Sequence, residues 1–251
     1  MAKIVFLTGA GISAPSGLNT FRKTAGSHEP LWDKHRIQDV AMLKGFIENP
    51  TRVHDFYNQR RLEINAASPN DAHKAIANLQ NHHEVLVATQ NIDNLHERAG
   101  SENVIHIHGK YNTFKCLSCS HKFIHNTTWT ISNSCQQCGA LFDRVRPDIV
   151  WYEESVNLKE FYGVEDAVSE ADIFVQVGTS AKIKTISKLY RKAKRRKRVE
   201  INMERTHKNI YEFHHYYIGS AEYGVPAFCE DIDKILEYGN SIKRLVSPFH
   251  P

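Results

Sequence analysis

From Lys3 to Thr8 the chain carries an unbroken apolar run, Ile4-Val5-Phe6-Leu7, closed by a glycine turn. That is the pattern of a strand buried on both faces. Similar short strands are expected at Glu84–Thr89, Val104–Ile107, Ile173–Val177 and Val199–Asn202. Between them apolar residues return at helical spacing, which predicts helices near Asp71–Gln80, Asn94–Ala99, Leu158–Ser169 and Ile183–Lys197. Short buried strands alternating with helices predict an α/β fold built on a doubly wound parallel sheet. Two segments break the alternation: a helical stretch from Ser27 to Asn81 and a cysteine-bearing region from Lys110 to Asp143. They are expected to form a small lobe on the sheet's edge. The single domain of residues 1–251 then divides into a large lobe of 1–26, 82–109 and 144–251, and a small lobe of 27–81 and 110–143.

A chain of 251 residues buries enough surface to hold a core without disulfides. Its five cysteines fall as Cys116/Cys119, Cys135/Cys138 and a lone Cys229. An odd count with two C-x-x-C pairs suits a metal site in a reducing compartment. No apolar run approaches the length of a membrane span. Met1 to Ala14 superficially resembles a short signal peptide, but Thr8, Gly9 and Gly11 interrupt it, and a strand with its turn explains it better. A cytoplasmic, monomeric protein with no membrane contact is expected. Ten of its Lys and Arg lie between Ala181 and Arg198 without an acid, so a net charge of +4 for the chain leaves −6 for the rest. The basic segment 182–198 is read as a solvated helix face; nucleic-acid contact through it is the less favoured alternative.

Chemistry concentrates at strand ends. The first strand runs into Gly9-Ala10-Gly11, with Ser13, Ser16, Gly17, Phe21 and Arg22 following and Ala14 where a dinucleotide fingerprint has its third glycine. Such a turn lets backbone N–H groups approach a pyrophosphate. The second strand ends in Gln90-Asn91-Ile92-Asp93, whose amides suit a carboxamide or a ribose. Alternation along Ile105-His106-Ile107-His108-Gly109 turns both histidines to one side, and His108, last before the glycine, is a candidate general base. Gly178-Thr179-Ser180 and Glu200-Ile201-Asn202 end two further strands. The spacing C-x2-C-x15-C-x2-C from Cys116 to Cys138 aims four thiolates at one point. Four protein ligands leave no open position, so the metal is structural.

Taken together these motifs resemble the sirtuin family, over nearly the whole chain from Lys3 to a helix expected to start near Pro226. The resemblance implies a Rossmann-like large lobe, a small lobe made of a helical insert and a four-cysteine zinc module, and NAD as a consumed co-substrate. It places NAD against Gly9, Ala10, Gly11, Ser13, Phe21, Arg22, Gln90, Asn91, Ile92, Asp93, Gly178, Thr179, Ser180, Asn202 and Ala221, with His108 and Asn91 catalytic and one zinc on Cys116, Cys119, Cys135 and Cys138. The implied reaction is lysine deacylation. The acyl oxygen attacks the ribose carbon as nicotinamide leaves, and His108 then acts as base on a ribose hydroxyl, giving free lysine and O-acyl-ADP-ribose.

A narrower resemblance, through Leu31-Trp32, Val40-Ala41 and Phe56-Tyr57-Asn58-Gln59-Arg60-Arg61, is to the bacterial branch that removes negatively charged acyl groups. Val53, Tyr57, Arg60 and Ile64 share a helix face. An Arg in such a stripe needs a partner, and a substrate carboxylate fits its fork. An internal acid such as Asp39 is the alternative. The substrate strand is expected at Val150-Trp151-Tyr152, followed by Glu153 where the family has a glycine, and Ala181 to Thr185 also depart from its pattern. Rival readings are ADP-ribosyl transfer to protein or NAD hydrolysis on the same site, and a non-enzymatic zinc and nucleic-acid-binding module.

Overall fold

The computed structural model describes residues 1–20, 35–180, 184–193, 197–206, 213–238 and 246–249. Its large sheet holds seven strands: β1 (Lys3–Thr8), β2 (Glu84–Thr89), β3 (Val104–His106), β7 (Ile173–Val177), β8 (Lys197–Asn202), β9 (His215–Gly219) and β10 (Val246–Phe249). The order is β10-β9-β8-β7-β1-β2-β3, and every pairing in it is parallel. The continuous apolar run of β1 has a direct cause. Ile4 and Phe6 face a core completed by helices α5 (Asp71–Leu79) and α9 (Ala221–Tyr238). Val5 and Leu7 face a second core under α7 (Leu158–Glu170) and α8 (Lys184–Lys192). A parallel strand covered on both faces has no polar side to alternate with.

Register carries this arrangement to the site. Thr8 pairs with Thr89 on one side and Val177 on the other, and Thr89 pairs with His106. The loops that leave β1, β2, β3 and β7 therefore emerge together at the carboxyl edge. From β1 the chain proceeds to β2 and β3, and β7 then enters on the opposite side of β1. Ligands of open α/β sheets bind at that switch point.

The small lobe contains α2 (Ile37–Val40), α3 (Leu43–Glu48) and α4 (Pro50–Ala66), with a three-stranded antiparallel sheet in the order β5-β4-β6: β4 (Gly109–Cys116), β5 (Lys122–Ile124) and β6 (Val145–Ile149). Asn49 caps α4 by accepting from the Arg52 N–H at 2.9 Å, and Pro50 occupies its first position, where no N–H is needed. Residues after the last cysteine return through β6 beside β4 before joining the large sheet. Two short helices, α1 (Ala10–Ser13) and α6 (Leu95–Arg98), follow β1 and β2.

Several sequence expectations shift. The strand read as Val104–Ile107 ends at His106, and the helix read to Lys197 is α8, since β8 already begins at Lys197. α9 begins at Ala221, and Pro226 lies inside it. Among the described residues, no helix is long and apolar enough to cross a membrane.

Candidate active site

Two strand-end turns meet backbone to backbone at the switch point. The Gly9 N–H donates to Val177 O at 3.0 Å, and the Gly11 N–H to Gly178 O at 2.9 Å. A Cβ on Gly11 would stand 2.6 Å from Gly178 Cα, and one on Gly178 would stand 2.5 Å from Ile12 N. Gly178 also has φ +58, so glycine is required there on both counts. Asn70, which the sequence reading passed over, ties the platform to α5. Its Nδ2 donates to Ile12 O at 2.8 Å and Ser16 Oγ at 2.9 Å, while its Oδ1 caps α5 through the Ala72 N–H. Gln90 Nε2 donates to Thr179 Oγ1 at 3.0 Å, and Asn202 Nδ2 to Thr179 O at 3.0 Å. Ala221 is buried at the start of α9, and Ser180 is exposed. Phe21 and Arg22 lie outside the described residues.

Beside this platform a buried polar chain links three of the expected residues. Asn91 Nδ2 donates to Gly9 O at 3.1 Å and to Ser13 Oγ at 3.0 Å. Ser13 Oγ then donates to Asp93 Oδ2 at 2.9 Å, and the Leu95 N–H donates to Asp93 Oδ1 at 3.1 Å. Burial raises the Asp93 carboxyl above its usual range, against the pull of Leu95 and Ser13. Each carboxylate oxygen has a second lone pair, which can accept from a carboxamide. Ile92, half-buried, packs against the small lobe's core.

The two histidines of Ile105-His106-Ile107-His108 hold consecutive carbonyls of the loop after β2. His106 Nδ1 meets Asn91 O at 3.0 Å, and His108 Nδ1 meets Gln90 O at 3.1 Å. A carbonyl can only accept, so Nδ1 of His108 carries the proton and Nε2 keeps its lone pair. Burial lowers the His108 pKa, opposed by the Gln90 carbonyl. The ring is thus neutral and basic at Nε2 near neutral pH, as a general base requires. His106 Nε2 faces Glu97 Oε1 at 2.9 Å, and Lys110 Nζ donates to the same oxygen at 3.0 Å. Burial works to raise the Glu97 pKa, but His106 and Lys110 outweigh it and hold the carboxyl at about 2. Of these partners the sequence reading noted only His106.

The expected substrate strand follows β6 directly. The structure corrects that expectation: β6 ends at Ile149, Val150 and Trp151 continue as an irregular segment, and Tyr152 already belongs to a turn. The Val150 N–H donates to His108 O at 3.0 Å, so this segment and the candidate base share a hydrogen bond. Trp151 is buried; its indole N–H donates to Tyr57 Oη at 2.8 Å and its ring stacks on that of Tyr57. An indole only donates, so the Tyr57 oxygen accepts here and its own proton remains available to a ligand. Burial raises the Tyr57 pKa, which keeps the phenol protonated. Arg60, one turn further along α4, donates from Nη2 to Glu63 Oε1 at 2.6 Å, and its buried Nε has no partner among the described residues. Glu63 is thus an internal acid of the kind the sequence reading allows as the alternative partner, while Asp39, the example named there, pairs with Arg52 at 3.3 Å. A cavity of about 440 Å³ opens beside Arg60, lined also by His35, Asn49, Arg52 and Phe56. Tyr57 does not line it and faces Trp151.

A turn closed by the Glu154 N–H on Trp151 O follows, with Glu153 at φ +70. A non-glycine residue there is strained by about 1 kcal/mol. Glu153→Gly is expected to raise the melting temperature by about 2–4 °C in a thermal scan. An unchanged or lower value would show that the turn absorbs the side chain without strain.

The four cysteines converge as their spacing predicts. Their sulfurs all lie within 4.8 Å of one another, with Cys116–Cys138 and Cys119–Cys135 both at 3.7 Å. A zinc tetrahedron with bonds of about 2.3 Å has edges of about 3.8 Å, whereas a disulfide needs about 2.05 Å. The donor set therefore fits zinc and not cystine. In each C-x-x-C turn the residue after the second cysteine adopts positive φ, Ser120 at 62 and Gly139 at 71, and donates its N–H to the first cysteine's carbonyl. Cys229 stands apart on α9.

The arrangement has close parallels. The Sir2 family model matches residues 9–185. A protein named NAD-dependent protein deacylase from Bdellovibrio bacteriovorus is 41% identical over 230 residues, covering 90% of this chain and 94% of its own. One of the same name from Escherichia coli K12 is 39% identical over 245 residues, covering 95% and 85%. Among solved structures, a Sir2 homolog–NAD complex superposes with a TM-score of 0.80 at 33% identity, covering 94% of this chain and 91% of that one. A Sir2 protein bound to an acetylated peptide does so at 0.77 and 27%, covering 92% and 93%. The shared fold, the paired glycine turns and these matches agree: this chain belongs to the Sir2 family.

Proposed function

We propose that this chain is an NAD-dependent protein-lysine deacylase that removes acyl groups ending in a carboxylate, such as succinyl or malonyl, as well as acetyl. The deacylase part is supported by the relatives' names and by the site. The close-packed turns at Gly9–Gly11 and Gly178 would let the pyrophosphate approach the backbone, with Ile92 and Asp93 toward the carboxamide and Asn91 and Gln90 toward the ribose. His108 presents an unprotonated Nε2 beside them. NAD supplies a charged leaving group when bound; the protein's part is to orient the reactants and exclude water. The four-cysteine site would hold zinc as a structural brace with no open position.

Acyl preference rests on one observation. The Arg60 guanidinium is half-buried with Nε unpartnered among the described residues, and Glu63 occupies only one of its ends. Burying such a donor unpaired is costly, and a substrate carboxylate would satisfy it. Tyr57, one turn away on the same helix, keeps a hydroxyl proton but faces Trp151 rather than the cavity beside Arg60, so the carboxylate reading rests on Arg60. A charge-assisted hydrogen bond contributes about 1.5–3 kcal/mol, or roughly 10- to 150-fold. Arg60→Met is therefore expected to lower kcat/KM for a succinyl-lysine peptide by about that factor and to leave the acetylated form of the same peptide within about twofold. Equal losses on both substrates would make Arg60 a structural residue.

A further inference from the structure

Trp151 is held on three sides. Its ring lies under the Arg146 guanidinium, 3.5 Å from the ring centroid. Its indole N–H donates to Tyr57 Oη. Its backbone N–H donates to Glu154 Oε2 at 2.8 Å. Arg146 is itself buried and fully engaged: Nε donates to Pro147 O at 3.0 Å, Nη2 to Ile149 O at 2.6 Å, and Nη1 and Nη2 to the two Glu154 carboxylate oxygens. Burial works to raise the Glu154 pKa, but Arg146 outweighs it, so the carboxyl stays charged. One guanidinium thus joins β6, the irregular segment after it and the turn at Glu153 into a closed unit.

Among the described residues, the hydrogen bonds of this pair go to neither the glycine turns nor the four cysteines, although Arg146 lies opposite Lys115, next to Cys116, on β4. A buried ion pair is a poor source of stability compared with apolar packing, and its best-attested use is to fix one geometry. The geometry fixed here is that of Val150–Tyr152 and, through Trp151, of the Tyr57 hydroxyl.

We propose that Arg146 and Glu154 are positioning residues for the acyl-lysine substrate: they set the segment that takes the peptide and, through Trp151, the Tyr57 hydroxyl. The inference rests on the reading that residues 150–152 bind the peptide, and its test separates the two.

Three variants probe the clamp. Arg146→Lys keeps the charge and loses the fork; Glu154→Gln keeps the shape and loses the charge. The double variant Arg146→Met with Glu154→Met removes both charges, so neither is left buried alone, and it serves if a single variant fails to fold. Steady-state kinetics with NAD and an acetylated peptide, together with zinc content, are measured for each. A tenfold or greater rise in KM for the peptide is expected, with KM for NAD within twofold of wild type and one zinc per chain retained. An equal rise in both KM values, or a peptide KM within twofold of wild type, overturns the proposal. Tyr152→Ala alters the segment's own exposed side chain and leaves Arg146 and Glu154 in place. If it raises the peptide KM while the clamp variants do not, only the clamp assignment fails. If none of the variants moves the peptide KM, the assignment of the segment to the substrate fails with it.

Discussion

His108→Ala is expected to reduce NAD-dependent deacylation by about 10²–10⁴-fold, the usual loss when a general base is deleted. Among the described residues the side chain makes one protein hydrogen bond, Nδ1 to Gln90 O, so the substitution removes little that holds the fold together. Gly9, Gly11, Asn91 and Asp93 keep their partners, and NAD should still bind. Turnover on an acylated peptide and NAD affinity by calorimetry give the two readouts, and near-normal turnover rules out His108 as the base. A pH profile adds an independent check. Burial lowers the His108 pKa, so Nε2 remains unprotonated further into the acid range than an exposed histidine would. The wild-type rate should therefore hold through neutral pH and fall only below the ordinary histidine range.

The second large effect is on folding. Cys116→Ser is expected to abolish metal binding and destabilise the small lobe. Structural zinc sites contribute about 10–16 kcal/mol in isolated modules, so even a quarter of that, about 3 kcal/mol, is a large fraction of a domain's stability. Cys116 and Cys135 are buried in a cluster with Phe114, Trp129 and Val145, which couples the metal to the packing around it. Arg61 extends that coupling to α4: its guanidinium lies over Phe114, and it donates to Tyr111 O. Elemental analysis should find one zinc in wild type and in Cys229→Ser, and none in Cys116→Ser, with an earlier thermal transition in the last. A metal-free variant of unchanged stability would show the site to be dispensable.

Much of this was legible in the sequence, for physical reasons that can be named. The central strands are buried on both faces, so Ile4-Val5-Phe6-Leu7 stands out as an unbroken apolar run, and Ile173–Val177 as one interrupted only by Gln176. Cysteine spacing is a strict geometric signal, and all four sulfurs converge. The strand ends advertised Gly9-Ala10-Gly11, Asn91-Ile92-Asp93 and His108 because glycines and amides there have little structural use otherwise. The reading failed where polar residues are buried. β9 begins His215-Tyr216-Tyr217, all buried, and no aliphatic run marks it. β4 is half-exposed and carries Lys110, Asn112 and Lys115, so its strand character was hidden beneath the cysteines. Glu97, Arg146 and Glu154 act through partners far along the chain or across a turn, and such pairings have no periodic signature. A lone Arg146 inside the apolar approach to Trp151 was the available hint.

The contact between the Gly9–Gly11 turn and Gly178 joins residues nearly 170 positions apart, which bears on how the protein is made. Synthesis proceeds from the N-terminus, and early segments fold as they emerge. β1 can pair with β2 while the rest is still being translated, but its other edge and half of the nucleotide platform wait for β7 and Gly178. On the proposed reading of these turns, a nascent chain halted before Gly178 would lack half of the surface offered to NAD. The co-substrate can stabilise the finished protein by mass action, but it cannot act as a template for the first half of the chain.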